Sequence, residues 1–243
     1  MTGETVLIIF FALAAGLYAA VGHGGASAYL VVMALAGFAP EEMRVNALLL
    51  NSVVSLIAAM LFFRHFAWRL FWPFALTSVP FAWLGGWIVV PDGIFYALVG
   101  LVLVVAAVRL VLPEGHAPTQ ALPIVTAWGA GALIGALSGM VGVGGGIFLT
   151  PLLVLSGWAR PKEAAAVSAV FIFVNSIAGL AGLWAGANTL LPHDSFPAWA
   201  AAAVCGGWLG AQWGSRRARP VWLRPTLAVV LLVAAVKFAG RAF

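Results

Sequence analysis

Charge is what this sequence has least of. Asp, Glu, Lys and Arg together make up 8% of its 243 residues, against 64% hydrophobic, whereas a soluble domain carries about one quarter charged residues. The mean hydropathy is +1.09. These values exclude a water-soluble globular domain. The apolar runs are long and do not alternate, so the chain reads as a helical integral membrane protein. Cysteine is nearly absent: Cys205 stands alone inside an apolar run, which excludes an intrachain disulfide framework and a Cys-rich metal motif. No basic residue precedes Arg44. The opening MTGETVLIIFFALAAG therefore lacks the positive n-region of a secretory signal peptide and is expected to belong to the bundle. The net charge of +5 comes from residues in short gaps between apolar runs, which points to membrane topology and not to a nucleic-acid partner. No Asp or Glu stands out within an apolar run as a sodium or proton site. Glu42 and Glu163 fall at helix starts, where a carboxylate stabilises the positive end of the dipole. No cofactor and no metal are expected.

What is present is a set of apolar runs divided by short polar gaps. The first covers 5–38, is interrupted at GHGGAS (22–27) and ends at APEEMR. Runs at 43–63, 70–90 and 94–112 end at RHFAWR, PDG and PEGHAPTQ. The pattern then restarts: an interrupted run over 122–158 ends at ARPKE, and runs follow at 164–187, 196–214 and 222–242. As one helix, 5–38 would span roughly 50 Å, far beyond the ~30 Å hydrocarbon core. Each interrupted run must therefore fold back at its glycines, and the arm beyond the break, about a dozen residues or roughly 18–20 Å, is short for a crossing. A helical hairpin with its tip near mid-membrane is expected, with two short tilted crossings as the alternative.

The halves repeat. Gly22, Gly24 and Gly25 correspond to Gly142, Gly144 and Gly145 at an offset of 120 residues, as do Gly37 and Gly157; Pro40, Glu42 and Ser55 correspond to Pro161, Glu163 and Ser176 at 121. The chain thus divides into a first repeat (1–112), a cytoplasmic linker (113–121) and a second repeat (122–243). Placing the basic gap SRRARP in the cytoplasm and alternating backwards puts RHFAWR inside, and APEEMR, PDG and both termini outside. The two halves then run in opposite senses, although Lys237 and Arg241 at the outer end oppose the charge rule. The expected fold is all-α: a polytopic membrane helical bundle of two inverted repeats, each a glycine-broken helical hairpin plus three transmembrane helices.

Five glycines fall within the eight residues 139–146. Inverted repeats with broken helices near the midplane are a recurring transporter plan, and irregular backbone is tolerated at that depth only inside protein or beside water. Each tip begins a new helix, near Ala26 and Ile147, whose free N–H groups and positive dipole end favour an anion. The ordinary alternative is close helix packing, which is expected of Gly135 and Gly139 at their four-residue spacing; Gly145→Val is expected to abolish most flux, and Gly135→Ala to reduce it less. GVGGGIFLT lacks the Gly-Lys-Ser/Thr ending of a phosphate loop.

The stretches GALSGMVGVGGGIFLTPLLV and AAAVSAVFIFVNSIAGLAG, with the first-half counterparts GLYAAVGHGGASAYLVVMAL and NALLLNSVVSLIA, resemble the TauE/SafE family, the toluene-sulfonate uptake permeases, over essentially the whole chain. That resemblance implies transmembrane movement of small sulfur-containing or organic anions, sulfite and sulfonates included. The family's glycine-rich stretch and proline map onto Gly142, Gly144, Gly145, Gly146 and Pro151. The first half departs from it, with Ala26 for the third glycine and Val31 for the proline.

Candidate substrate-binding residues are Gly22, His23, Gly24, Gly25 and Ser27 at the first tip, Gly142, Gly144, Gly145, Gly146 and Thr150 at the second, and Asn51, Ser55, Asn175 and Ser176 on the long helices that follow. Neutral donors suit an anion that must bind and then leave. Interhelical hydrogen bonding is the competing role for each Ser and Asn. His23 stands in the uncharged run from Thr5 to Pro40, and could meet the anion or carry a proton; a neutral imidazole bonded to backbone is its ordinary alternative. Tryptophans near run ends, Trp68, Trp72, Trp87, Trp158 and Trp222, are expected to anchor the interfaces. The expected partners are a small anionic substrate and the lipid bilayer, in the bacterial inner membrane, and a homo-oligomer is compatible with the sequence. The leading function is secondary transport, not enzymatic. An intramembrane hydrolase would need a serine and histidine in reach of each other, and no nucleophile-elbow pattern surrounds Ser138. A purely structural subunit would not need two matched glycine breaks.

Overall fold

The computed structural model describes residues 3–20, 24–111, 120–186, 192–216 and 223–242. Gly22, His23 and Trp222 lie outside the described residues, as do most of the linker and the centre of SRRARP. Ten α-helices account for nearly all of what is described: α1 (Gly3–Ala19), α2 (Ala26–Leu35), α3 (Pro40–Phe62), α4 (Trp68–Trp87), α5 (Asp92–Val111), α6 (Ile124–Val141), α7 (Gly146–Leu155), α8 (Pro161–Ala185), α9 (Phe196–Arg216) and α10 (Leu223–Ala242). Both expected breaks are present, after α1 and after α6. The arms beyond them, α2 and α7, hold ten residues each, roughly 15 Å of helix. By length and composition the α3 span, α6 and α8 are long and apolar enough to cross a membrane.

The two halves build each element from matching parts. α2 and α7 both end at a glycine with positive φ, Gly37 (+88°) and Gly157 (+67°). In each case the next residue donates back to the carbonyl five positions earlier, Phe38 to Met33 at 3.1 Å and Trp158 to Leu153 at 2.9 Å, which closes a Schellman turn. α3 and α8 then open on Pro40 and Pro161, where a missing N–H costs little. At the start of α8 the Arg160 N–H donates to Glu163 Oε2 at 3.1 Å.

The packing repeats as well. α4 lies along α6 as α9 lies along α1; α8 meets α4 as α3 meets α9; α7 sits on α8 as α2 sits on α3. α3 packs on its own counterpart α8, and α5 on its counterpart α10. The outward surface is apolar: Leu13, Leu76, Leu133, Leu209 and Val236 are all exposed, as lipid contact requires and water contact does not. Trp68, Trp72 and Trp87 are exposed in this way, whereas Trp158 is buried against Phe74, with ring centroids 6.5 Å apart. The expected anchoring role does not apply to Trp158, because the Schellman turn at Gly157 folds it back into the core.

Glycines set the closest helix contacts. On α6, a Cβ at Gly131, Gly135 or Gly139 would run into the α4 carbonyl of Phe74, Ser78 or Ala82. On α9, a Cβ at Gly206, Gly210 or Gly214 would run into the carbonyl of Ala12 or Gly16 on α1, or of Ala20 just past its end. Gly135 is a packing residue, as expected, but one without room for a methyl group. Backbone on α4 must move to admit it, at a cost of about 1–3 kcal/mol. Gly129 lies on the same helix with nothing within 4 Å of a Cβ. Thermal unfolding in detergent should therefore show Gly135→Ala clearly destabilised and Gly129→Ala close to wild type; equal melting temperatures would mean that the α4–α6 contact is looser than described.

Candidate functional site

Breaking a helix in a dry interior strands backbone N–H and C=O groups, each costing several kcal/mol if unpaired. Here one side chain serves both breaks. From the middle of α3, Asn51 accepts the Ala26 N–H through Oδ1 at 3.1 Å and donates through Nδ2 to the Val143 carbonyl at 2.9 Å. Ala26 is the first residue of α2; Val143 lies in the second glycine tip. The two tips, 120 residues apart in sequence, therefore converge on Asn51. Ile172 on α8, the position corresponding to Asn51 at the 121 offset, closes the other side: it would meet a Cβ placed at Gly24, Gly144 or Gly146.

The tips need glycine. Gly25 and Gly145 are the N-cap residues of α2 and α7 and hold φ of +92° and +81°, a region costly to side chains. A Cβ at Gly25 would also strike Tyr29, and one at Gly145 would strike Ile134 and Phe171. Gly145→Val would thus damage folding whatever the site does. Gly142 caps α6 with its N–H on Ser138 O at 2.9 Å and presses against the Arg44 backbone. Between the tips is a cleft lined by Tyr18, Gly24, Gly25, Ser27, Val143 and Ile172, among others. Its free space of about 10 Å³ is at the lower limit for one water.

The remaining candidates divide. Ser27 lies in the first turn of α2, buried, and its Oγ donates to Tyr18 Oη at 3.0 Å. The Ser176 hydroxyl is buried without a partner and would lie 2.9 Å from a Cβ at Gly144; it is aimed at the second tip. Ser55 and Asn175 are buried but return their donors to their own helices, Ser55 to Ser52 O at 3.4 Å and Asn175 to Phe171 O at 2.8 Å. Thr150, a candidate at the second tip, is buried in the second turn of α7 and its hydroxyl donates to Ser168 Oγ on α8 at 2.7 Å.

Sequence reasoning missed Arg44. It was assigned to a polar gap, yet it is 2% exposed on α3. Its guanidinium donates to the carbonyls of Gly85 (3.1 Å), Gly86 (3.2 Å), Ile88 (3.3 Å) and Gly139 (3.0 Å). A cation thereby collects the unpaired carbonyls at the C-terminal end of α4 and ties them to α6. Its place at the mouth of the apolar run, one turn after the helix-opening Pro40, was the available signal. Tyr18 and Tyr29, both at the first tip, were missed too.

The comparisons with known proteins bear on this arrangement. The model of the family described as "Sulfite exporter TauE/SafE" matches residues 7–238. The chain belongs to that family. It is 38% identical over 242 residues to a "Probable membrane transporter protein y4hK" of Sinorhizobium fredii (strain NBRC 101917 / NGR234), with 95% of each chain covered. No solved structure matches it. Membership agrees with the resemblance carried by the glycine-rich stretches, and makes this TauE/SafE chain an integral membrane protein of a transporter family.

The Asn51 clamp has a measurable consequence. Asn51→Leu strands the Ala26 N–H and the Val143 carbonyl, at about 1–3 kcal/mol for each buried group. Asn51→Leu should therefore lower the melting temperature well below that of Ser52→Ala, a neighbour on α3 whose hydroxyl only returns to Leu48 O. Equal stability of the two variants would mean that the tips do not depend on the clamp.

Proposed function

We propose that the protein is a secondary transporter for a small oxyanion such as sulfite, a sulfonate or a related carboxylate, bound near mid-membrane between the two glycine tips. The observation that carries this is the convergence of both tips on Asn51, with the Ser176 hydroxyl aimed at the second tip. The starts of two helices meet there, where N–H groups and dipoles favour negative charge. The family's printed description names sulfite export, which supports the class of substrate. An anion leaving a negative-inside cell moves downhill at ~2.3 kcal/mol per charge per 100 mV, so export requires no cation site.

The repeated packing, in which α3 faces α8 and α5 faces α10 as counterparts, supports reading 1–112 and 122–243 as inverted repeats joined by a cytoplasmic linker at 113–121. In this reading the chain sits in the bacterial inner membrane with RHFAWR and SRRARP inside and PDG and both termini outside. Single cysteines at Arg64 and Asp92, in a Cys205→Ala background, should be labelled from opposite sides. Labelling of both from one side would refute the topology.

The transport reading is tested by flux of sulfite, thiosulfate, sulfate, short sulfonates and carboxylates into proteoliposomes of purified protein. Wild type should carry at least one of them. Ser176→Ala removes a hydroxyl that no other group uses, so it should keep the melting temperature while raising the KM by about tenfold, the worth of one hydrogen bond to a charged group. Absence of flux for every anion would overturn the transport reading; unchanged KM in Ser176→Ala would remove the second tip from the site.

A further inference from the structure

Tyrosine is rare in this chain: there are three, and two of them stand at the first tip. Tyr18 ends its helix beside the break and lines the cleft between the tips. Tyr29 lies one turn into α2, and its side chain leans back over the helix start, so that its Oη would be 2.8 Å from a Cβ at Gly25. The corresponding second-tip positions, 120 residues on, hold Ser138 and Leu149.

Both hydroxyls have hydrogen-bonding capacity left over. Tyr18 and Ser27 share one hydrogen bond. Two hydroxyls joined by one bond hold two protons and use one, whichever of them donates. The spare proton belongs to a pair that lines the cleft. Tyr29 is 0% exposed, and its Oη has no partner. Its ring packs edge-on to Phe11, with centroids 5.7 Å apart, so the ring is held in place by carbon contacts that phenylalanine would make equally well. An unpaired buried hydroxyl lowers stability. Phenylalanine at this position would keep the packing without that penalty.

We propose that Tyr18 and Tyr29 are anion-binding residues: their phenolic O–H groups donate to the oxygens of the bound oxyanion at the first tip, so that the first half recognises the substrate through phenols where the second half uses the Ser176 hydroxyl. This rests on the transport reading and adds to it the residues that make the two halves chemically unequal. Phenolic donors form strong hydrogen bonds to charged oxygen without the fixed positive charge that would hold an anion too tightly to release. They favour oxyanions such as sulfite and short alkanesulfonates, whose oxygens surround one sulfur in a fixed geometry, over halides, which offer no such set of acceptors.

The test uses purified full-length protein in proteoliposomes with sulfite and methanesulfonate as probes. The variants are Tyr18→Phe, Tyr29→Phe, Ser27→Ala and the α5 control Tyr96→Phe, with flux KM and melting temperature read for each. Tyr29→Phe should raise the KM about tenfold while its melting temperature holds or rises. A purely structural tyrosine would not give that combination. Tyr18→Phe should raise the KM similarly. Ser27→Ala should raise it less, since the Tyr18 hydroxyl survives, and Tyr96→Phe, away from the cleft, should keep the wild-type KM. Wild-type KM in both Tyr18→Phe and Tyr29→Phe overturns the proposal. Ser176→Ala, measured alongside, separates the two failures. A raised KM there with unchanged tyrosine variants leaves the transport reading standing and removes the tyrosines; no anion flux in wild type removes both.

Discussion

Two helices stop in the apolar middle of this bundle, and everything near them is arranged to meet the backbone groups they leave behind. A single carboxamide does most of this. Asn51 offers one acceptor and one donor on a rigid planar group, and the two tips present one N–H and one C=O to match. Neither serine nor aspartate could replace it at both ends. Serine cannot span the distance with both functions, and ionised aspartate only accepts. Because Asn51 belongs to α3, the tips are positioned by a long, continuous helix, and not by each other.

That dependence explains why the outer contacts are so close. If α3 and α8 are to hold the tips, the helices around them must hold α3 and α8. The α4–α6 and α1–α9 pairs do so through three glycines each, spaced by four residues, with carbonyls of the facing helix where a Cβ would be. The roles are exchanged between halves. α6, which leads into the second tip, carries its own glycines. α1, which leads into the first, receives those of α9. In lipid, where burial of apolar surface gives no net drive between helices, such close backbone approach is the principal source of association. Arg44 adds a second tie, binding the end of α4 to α6 just where Gly142 turns.

Much of this was legible in the sequence, and the parts that were not share a cause. The breaks, the repeat offsets, the proline starts of α3 and α8 and the αL glycines at 37 and 157 are local features, written in residues adjacent to the structure they produce. The partners were not legible. Thr150 reads as a hydroxyl at an open helix start, until the path of α8 puts Ser168 against it. Arg44 reads as a gap residue, because hydropathy cannot tell a guanidinium in water from one that has collected four carbonyls. Trp158 reads as an anchor, because a tryptophan at the end of an apolar run looks the same whether the next turn faces lipid or the core. Tyr18 and Tyr29 are apolar by count, and only the neighbours of their hydroxyls mark them out. In each case the missing information is a contact between residues distant in sequence, and a single sequence carries no record of such contacts.

The narrow cleft gives the tips a definite energetic character. With about 10 Å³ free, an oxyanion cannot lie between them as they stand, and the Ala26 N–H that would greet it is already bonded to Asn51 Oδ1. A neutral amide oxygen thus occupies the place where a charged one would bind. In the transport reading proposed above, an anion at this N–H would have to displace Asn51 Oδ1, which would also free the Val143 carbonyl. Since Val143 belongs to the other tip, such a displacement would reach both halves through the same side chain. A ligand shifts an equilibrium only by its difference in affinity for the two states. A charged oxygen bonds more strongly than an amide oxygen to an N–H at a helix start, and that difference, less about 1–3 kcal/mol for the Val143 carbonyl left unpaired, is the free energy that would be available to part the tips. When the anion leaves, Asn51 would recover both of its bonds.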